Sequence, residues 1–200
     1  MNEPRRTDLG GSAASTDAAI IVRSVTVPES FAAIFDRHAE SIYRYAARRV
    51  GQQAAADVMS EVFLVAFRNR RRYDSGRADA LPWLYGIAVN VMSQHQRALR
   101  RYAQVLATVP GPPAIDVVAD DALDRVAAAQ LRPRIMRVLS GLSERDRELV
   151  LLIAWAGLTY EQAAQALGIP VSTVRSRLHW IRAKLRRATG PHLQPTTESL

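Results

Sequence analysis

Between Ser172 and Arg182 the chain gathers side chains suited to reading nucleic acid. Ser172, Thr173, Ser176 and His179 can reach base edges, while Arg175, Arg177 and Arg182 can bind phosphate or grip guanine with two donors. Val174, Leu178, Ile181 and Leu185 recur at helical spacing and form the opposite, apolar stripe. Just upstream, Thr159 and Gln162 make the Thr-x-x-Gln of a capping box, so a helix should open there and run to Leu167. Gly168 supplies the turn, and Pro170 has a φ already set for the first turn of the next helix. Two short helices about a glycine turn, the second basic and facing outward, predict a DNA-binding helix-turn-helix. An ordinary helical hairpin with a solvated basic face is the alternative.

Earlier in the chain, apolar spacing predicts three more helices. The first spans about 31–50 on Phe31, Phe35, His38, Ile42 and Tyr45, and Gly51 ends it. The second covers about 54–68 with Val58, Val62, Val65 and Ala66 inward, leaving Asp57, Ser60, Glu61, Leu64 and Phe67 outward, the alternative for Leu64 and Phe67 being packing on the neighbouring helix of their own bundle. The third runs from about Pro82 to Tyr102 with Leu84, Ile87, Ala88, Val91, Ala98 and Leu99 as its buried stripe. Asn90, Ser93, Arg97 and Arg100 share its outward face. Between the second and third lies a basic turn that holds Arg70, Arg71, Arg72, Tyr73 and Ser-Gly.

Charge divides the chain in the same places. Residues 29–102 carry a net +5, residues 103–130 a net −3 and residues 131–187 a net +7, within an overall +8. Two basic modules about an acidic spacer favour nucleic-acid contact at two places. Arginine-rich composition also follows from GC-rich codon usage, so the residue type alone decides little. Residues 103–130 include Pro110, Pro112 and Pro113 and read as a linker, with a short helix conceivable after Asp120. Beyond it, helices are expected near Leu131–Leu139 and after Ser143, which with Asp146 forms a cap. Residues 1–28, rich in small residues, read as a flexible tail, and 188–200 as a disordered one. No stretch alternates cleanly enough for a strand. The expected fold is all-α: two small helical bundles joined by an acidic Pro-rich linker, the C-terminal one containing the helix-turn-helix.

Several classes are disfavoured. There is no cysteine, hence no disulfide framework or thiolate metal site, as fits a reducing cytoplasm. His38, His95 and His192 lack ligand-spaced partners, and His95 falls on an apolar stripe where a core histidine is expected. No metal, cofactor or membrane insertion is expected, and no secretory signal opens the chain. Phosphate-binding loops, zincin motifs and nucleophile elbows are lacking, which argues against an enzyme.

Asp57-Val-Met-Ser-Glu-Val-Phe-Leu-Val-Ala-Phe67, followed by Trp83-Leu-Tyr-Gly-Ile-Ala-Val-Asn90, resembles the signature of extracytoplasmic-function sigma factors. Thr173 to Leu178 resembles that family's second conserved domain. The resemblance implies that the chain binds core RNA polymerase, directs it to promoter DNA and promotes opening there. It implies that Asp57, Ser60, Glu61, Leu64 and Phe67 dock on the polymerase. It further implies −10 recognition by Arg71, Arg72, Tyr73, Asn90, Ser93, Arg97 and Arg100, with Tyr73 and the arginines holding a flipped base. The residues Ser172, Thr173, Arg175, Ser176, Arg177, His179 and Arg182 would take the −35 element, and an anti-sigma factor is the usual regulator. Ser60 stands where the family usually has glutamine, and Trp180 where arginine is common.

Geometry allows the division of labour. Elements some 25 base pairs apart are separated by about 85 Å at ~3.4 Å per step. The 28 residues of 103–130 reach about 92–100 Å when drawn out. Residues 142–187 also resemble LuxR-type regulators, so an operator-binding activator is the runner-up. Residues 29–102 offer no strands for the sensory domain such proteins usually carry. A helical RNA-binding protein is the remaining reading that charge allows.

Overall fold

In the computed structural model, which describes residues 15–105 and 125–189, every regular element is helical. Three helices build the first bundle: α2 (Ala32–Val50), α3 (Gln52–Asn69) and α4 (Leu81–Val105). Gly51, at φ 86°, makes the sharp reversal between α2 and α3 that an L side chain would strain. The two helices then run antiparallel, and their register is visible in two ring pairs. Phe31 meets Phe67 with ring centroids 5.4 Å apart, and Phe35 meets Phe63 at 4.8 Å, both edge-on. Ile34, Ile42, Val58, Val62, Leu84, Ala88 and Met92 close the core between the three helices.

The amino-terminal stretch departs from the expectation of a flexible tail. Residues Asp17–Ser24 form a helix, α1, capped by the Thr16 hydroxyl, which accepts from the Ala19 amide. Its Ile20 and Ile21 are buried against the bundle. Asp17 fixes its position. One carboxylate oxygen accepts from the Arg37 guanidinium at 2.9 Å; the other is 2.7 Å from His38 Nε2 and accepts from the Ala80 amide at 3.0 Å. Burial raises the Asp17 pKa, but the Ala80 amide, Arg37 and His38 outweigh it and hold the carboxyl below its usual value. Residues 1–14 lie outside the described residues.

The second bundle comprises α5 (Arg125–Ser140), α6 (Glu144–Ala154), α7 (Tyr160–Leu167) and α8 (Val171–Thr189). Helix α5 begins six residues before the expected Leu131, inside the stretch expected to be linker, and carries Pro133 within it. The caps follow the sequence signals: Ser143 accepts from the Asp146 amide, and Thr159 and Gln162 complete a reciprocal box. Gly168 sits in the left-handed region at φ 62°, where a helix end needs a residue without Cβ. Leu139, Leu142 and Ile181 pack where α5 crosses α8. Most of the expected linker, residues 106–124, and the expected tail from 190 lie outside the described residues.

The all-helical expectation is therefore met, but the two bundles do not stand apart. Helix α7 lies along α4, and one apolar cluster runs from Ile34 and Leu84 through to Leu152, Ala163 and Val174. Gly86 permits the approach: a Cβ there would lie 2.6 Å from the Ala166 carbonyl oxygen. Polar contacts surround this seam. Arg49 donates to Glu148 at 2.7 Å, Tyr45 donates to the same carboxylate at 2.8 Å, and Gln162 donates to Asp79 at 3.2 Å.

Asp17 stabilises the fold while ionised. Because its folded pKa is depressed, that contribution is present above the ordinary aspartate range and is lost as pH falls through the lower folded value. Asp17→Asn should cost about 1–3 kcal/mol at neutral pH, the scale of a broken buried polar contact. Acid titrations of thermal stability should show a shallower loss for the variant than for the parent as pH falls below the ordinary aspartate value. Equal acid limbs would contradict the assignment.

Candidate nucleic-acid interface

The stripe of α8 is satisfied as the sequence implies. Val174, Leu178 and Ile181 are buried, which turns Ser172, Arg175, Ser176, His179 and Arg182 outward and leaves Thr173 and Arg177 half-buried. Neighbouring helices steady the cations. Arg182 donates to the Tyr160 hydroxyl at 2.7 Å, Arg177 lies 3.4 Å from Asp146, and Arg175 lies 3.5 Å from Glu161. The last pair is about two-thirds exposed on both sides, so it holds little and yields readily to another anion. Ser176 donates to the Thr173 carbonyl at 3.1 Å. Trp180 does not pack inward: it is 51% exposed, with the Lys184 ammonium 5.0 Å from its ring centroid. It borders an open cleft of about 300 Å³ shared with Ser143, Asp146, Ser176 and Arg177.

In the first bundle, the 70–80 segment is a constructed loop. Arg71 and Arg72 are exposed on a single 3₁₀ turn. Arg70 instead serves the fold: it donates to the Ser24 and Phe67 carbonyls and lies 3.8 Å over the Phe67 ring. Tyr73 stacks obliquely on Trp83 at 5.0 Å, and its hydroxyl is shared between the Arg77 and Asp79 carbonyls at 2.7 and 3.1 Å. Burial, reinforced by Asp17 and Asp79, pushes its pKa to about 12. The ring is thus held against Trp83 with its hydroxyl engaged inside the loop, which limits its freedom as a stacking platform. Arg77 pairs with Asp74, whose carboxyl it holds below the usual range.

On α4, Asn90 and Arg97 are exposed, and the Arg97 guanidinium folds back to the Ser93 carbonyl at 3.1 Å. Ser93 is half-buried, its hydroxyl donating to Glu144 of α6 at 3.2 Å. Arg100 continues the same helix. His95, expected in the core, is exposed: Ser93 and Gln96 beside it face the seam, and no element among the described residues covers the side that His95 occupies.

Outward on α3 stand Asp57, Ser60, Glu61 and Leu64, the last 47% exposed. Phe67 is the exception among the five: it is half-buried against Phe31 and beneath Arg70. Sequence reasoning placed Tyr45 on the inward stripe of its helix but missed Arg49 and Glu148, and the three meet across the seam. The Arg49 and Glu148 side chains are each only 3% exposed, and the Arg49 guanidinium also donates to Gln96 at 3.3 Å. Burial, with Glu148 beside it, raises the Tyr45 pKa well above its usual value. Asp17, His38 and Asp79 bring three potential ligand atoms within 4.8 Å of one another, but donors already occupy both Asp17 oxygens.

Comparison with known proteins settles the family. Residues 34–102 match Sigma-70 region 2, and residues 132–185 match Sigma-70, region 4. The ECF RNA polymerase sigma factor SigK of Mycolicibacterium vanbaalenii is 32% identical over 168 residues, covering 81% of this chain and 83% of its own. RNA polymerase sigma factor NccH of Alcaligenes xylosoxydans xylosoxydans is 31% identical, with 86% and 93% covered. The chain belongs to the extracytoplasmic-function sigma factors. It therefore directs RNA polymerase to promoters and is not a LuxR-type regulator. Two solved structures share the fold at 21% identity. CnrH in complex with the cytosolic domain of CnrY superposes with a TM-score of 0.57 over 86% of this chain and 95% of that one. RpoE in complex with the anti-sigma factor NepR from Bartonella quintana gives 0.61 over 82% and 99%. No described helix of this sigma factor is long and apolar enough to cross a membrane.

Tyr73→Phe removes the hydroxyl that ties the 70–80 loop to itself. Exchange of backbone amides in 74–79 should speed up severalfold, with a global loss of about 1 kcal/mol. Unchanged exchange there would show that Trp83 alone holds the loop.

Proposed function

We propose that this sigma factor divides promoter recognition between its two bundles. Helix α8 lies in the major groove of the −35 element, with Thr173, Arg175, Ser176 and His179 reading base edges. Ser172, Arg177 and Arg182 fix its register on phosphate. The single observation that supports this best is the exposed hydroxyl, imidazole and guanidinium face of α8, presented by a capped α7 across a left-handed glycine.

Along α4, Asn90 and Ser93 face the −10 strand, with Arg97 and Arg100 on its phosphates. Arg71 and Arg72 line the entrance for an extruded base, and Tyr73 shapes that loop more than it stacks. Asp57, Ser60, Glu61 and Leu64 form the polymerase-docking face of α3. Exposed leucine on a helix otherwise well packed supports a partner there. Phe67 backs that face from inside. The protein works in the cytoplasm, performs no catalysis of its own, and is held inactive by an anti-sigma factor. The partners named in the CnrH and RpoE structures support that last point.

Two variants separate these roles. Arg175→Ala with His179→Ala should reduce initiation from −35-dependent promoters at least tenfold, since each base contact is worth about 1–3 kcal/mol, while polymerase affinity stays unchanged. Asp57→Ala with Leu64→Ala should do the reverse, weakening binding to core polymerase about tenfold in a pull-down titration. Loss of polymerase binding in the first variant, or none in the second, would overturn the division.

A further inference from the structure

Glu144 and Glu148 stand four residues apart on α6 and so share one helix face. Both point across the seam into the first bundle. Glu144 accepts from Ser93, and Glu148 accepts from Arg49 and Tyr45, with Gln96 completing the Arg49 guanidinium. These donors lie on the side of α4 and α2 that α6 and α7 cover. A guanidinium and a hydroxyl that hold carboxylate oxygens hold phosphate oxygens by the same chemistry.

The geometry points to Glu144 and Glu148 as internal stand-ins for the phosphates of the promoter strand, with Arg49 becoming a strand-binding residue once the bundles part. This rests on the reading of α4 as the −10 helix. The apolar centre of the seam gains nothing from nucleic acid when the bundles part. An ion pair can instead exchange one anion for another, leaving Arg49 paired in both states. The Gly86 contact makes closure close-fitting, since no side chain separates α4 from the α7 backbone. Free protein therefore binds single strands weakly, because only the opened fraction offers Arg49 and Ser93.

The test uses the full chain and a fluorescein-labelled, randomised DNA single strand of about 15 nucleotides, which reports phosphate contact independently of sequence. Two variants open the seam by different means. Glu144→Gln with Glu148→Gln removes the anions, and Gly86→Leu wedges α4 from Ala166 while leaving every charge in place. Both should increase the radius of gyration in solution scattering and tighten strand binding about fivefold or more. Adding Arg49→Met to Gly86→Leu should abolish most of that gain and reduce the slope of log affinity against log salt by about 0.7.

Expansion without tighter binding overturns the inference, as does an opened chain indifferent to Arg49→Met. Absence of expansion in both variants overturns it too, because the contact would then not hold the bundles together. Initiation by the holoenzyme carrying Asn90→Ala reports separately on α4. If start-site choice is untouched there, the −10 reading falls. If it is impaired while opening brings no gain, only the phosphate exchange falls.

Discussion

A cation and an anion 99 positions apart in sequence meet where almost no water reaches them, and the arrangement of the two bundles turns on that meeting. Arg49 and Glu148 lose their hydration in the closed form, a cost that only close geometry and full hydrogen bonding can offset. Tyr45 and Gln96 supply the missing partners, and no buried side-chain nitrogen or oxygen among the described residues lacks one. Buried pairs of this kind add little net stability beside an apolar replacement, but losing one partner costs about 3–5 kcal/mol. The pairing therefore selects one docking arrangement more than it strengthens docking. Arg48 beside Trp155 and Gly86 beside Ala166 then fit the surfaces around it.

The outward face of α8 depends on rigid presentation rather than on unusual chemistry. The side chains along α8 are ordinary; what matters is that a reciprocal cap, a left-handed glycine and a buried stripe leave the helix no freedom to roll. A roll by one residue, about 100° in an α-helix, would carry Val174 into solvent and Arg175 into the core. Apolar burial thus sets which face points outward.

Local physics was legible in the chain. The Thr159–Gln162 box, the Ser143 cap, and the glycines at 51 and 168 act within a few residues, so one sequence displays them fully. The outward set on α8 followed from its stripe for the same reason. Helix α1 was hidden because it is only eight residues long and is held by Asp17 reaching residues 37, 38 and 80, a tertiary anchor that propensity does not register. Phe67 and His95 were misplaced because periodicity assigns a face but not what covers it. Phe31 and Arg70 cover one, and nothing in the described bundle covers the other. Arg49 and Glu148 carried no signal at all, being unremarkable charges until the two bundles dock.

The Asp17 carboxylate has a reach that its place near the chain start conceals. By joining α1 to α2 and to the first turn of α4, it sets where the segment beginning at Leu81 leaves the basic loop. Trimming or re-engineering the leader as far as Asp17 would thus be felt some sixty residues downstream, in the pose of that loop. A fusion or truncation boundary chosen from sequence alone, at residue 29, would cut through this joint and alter the shape of the basic 70–80 loop without touching any residue in it.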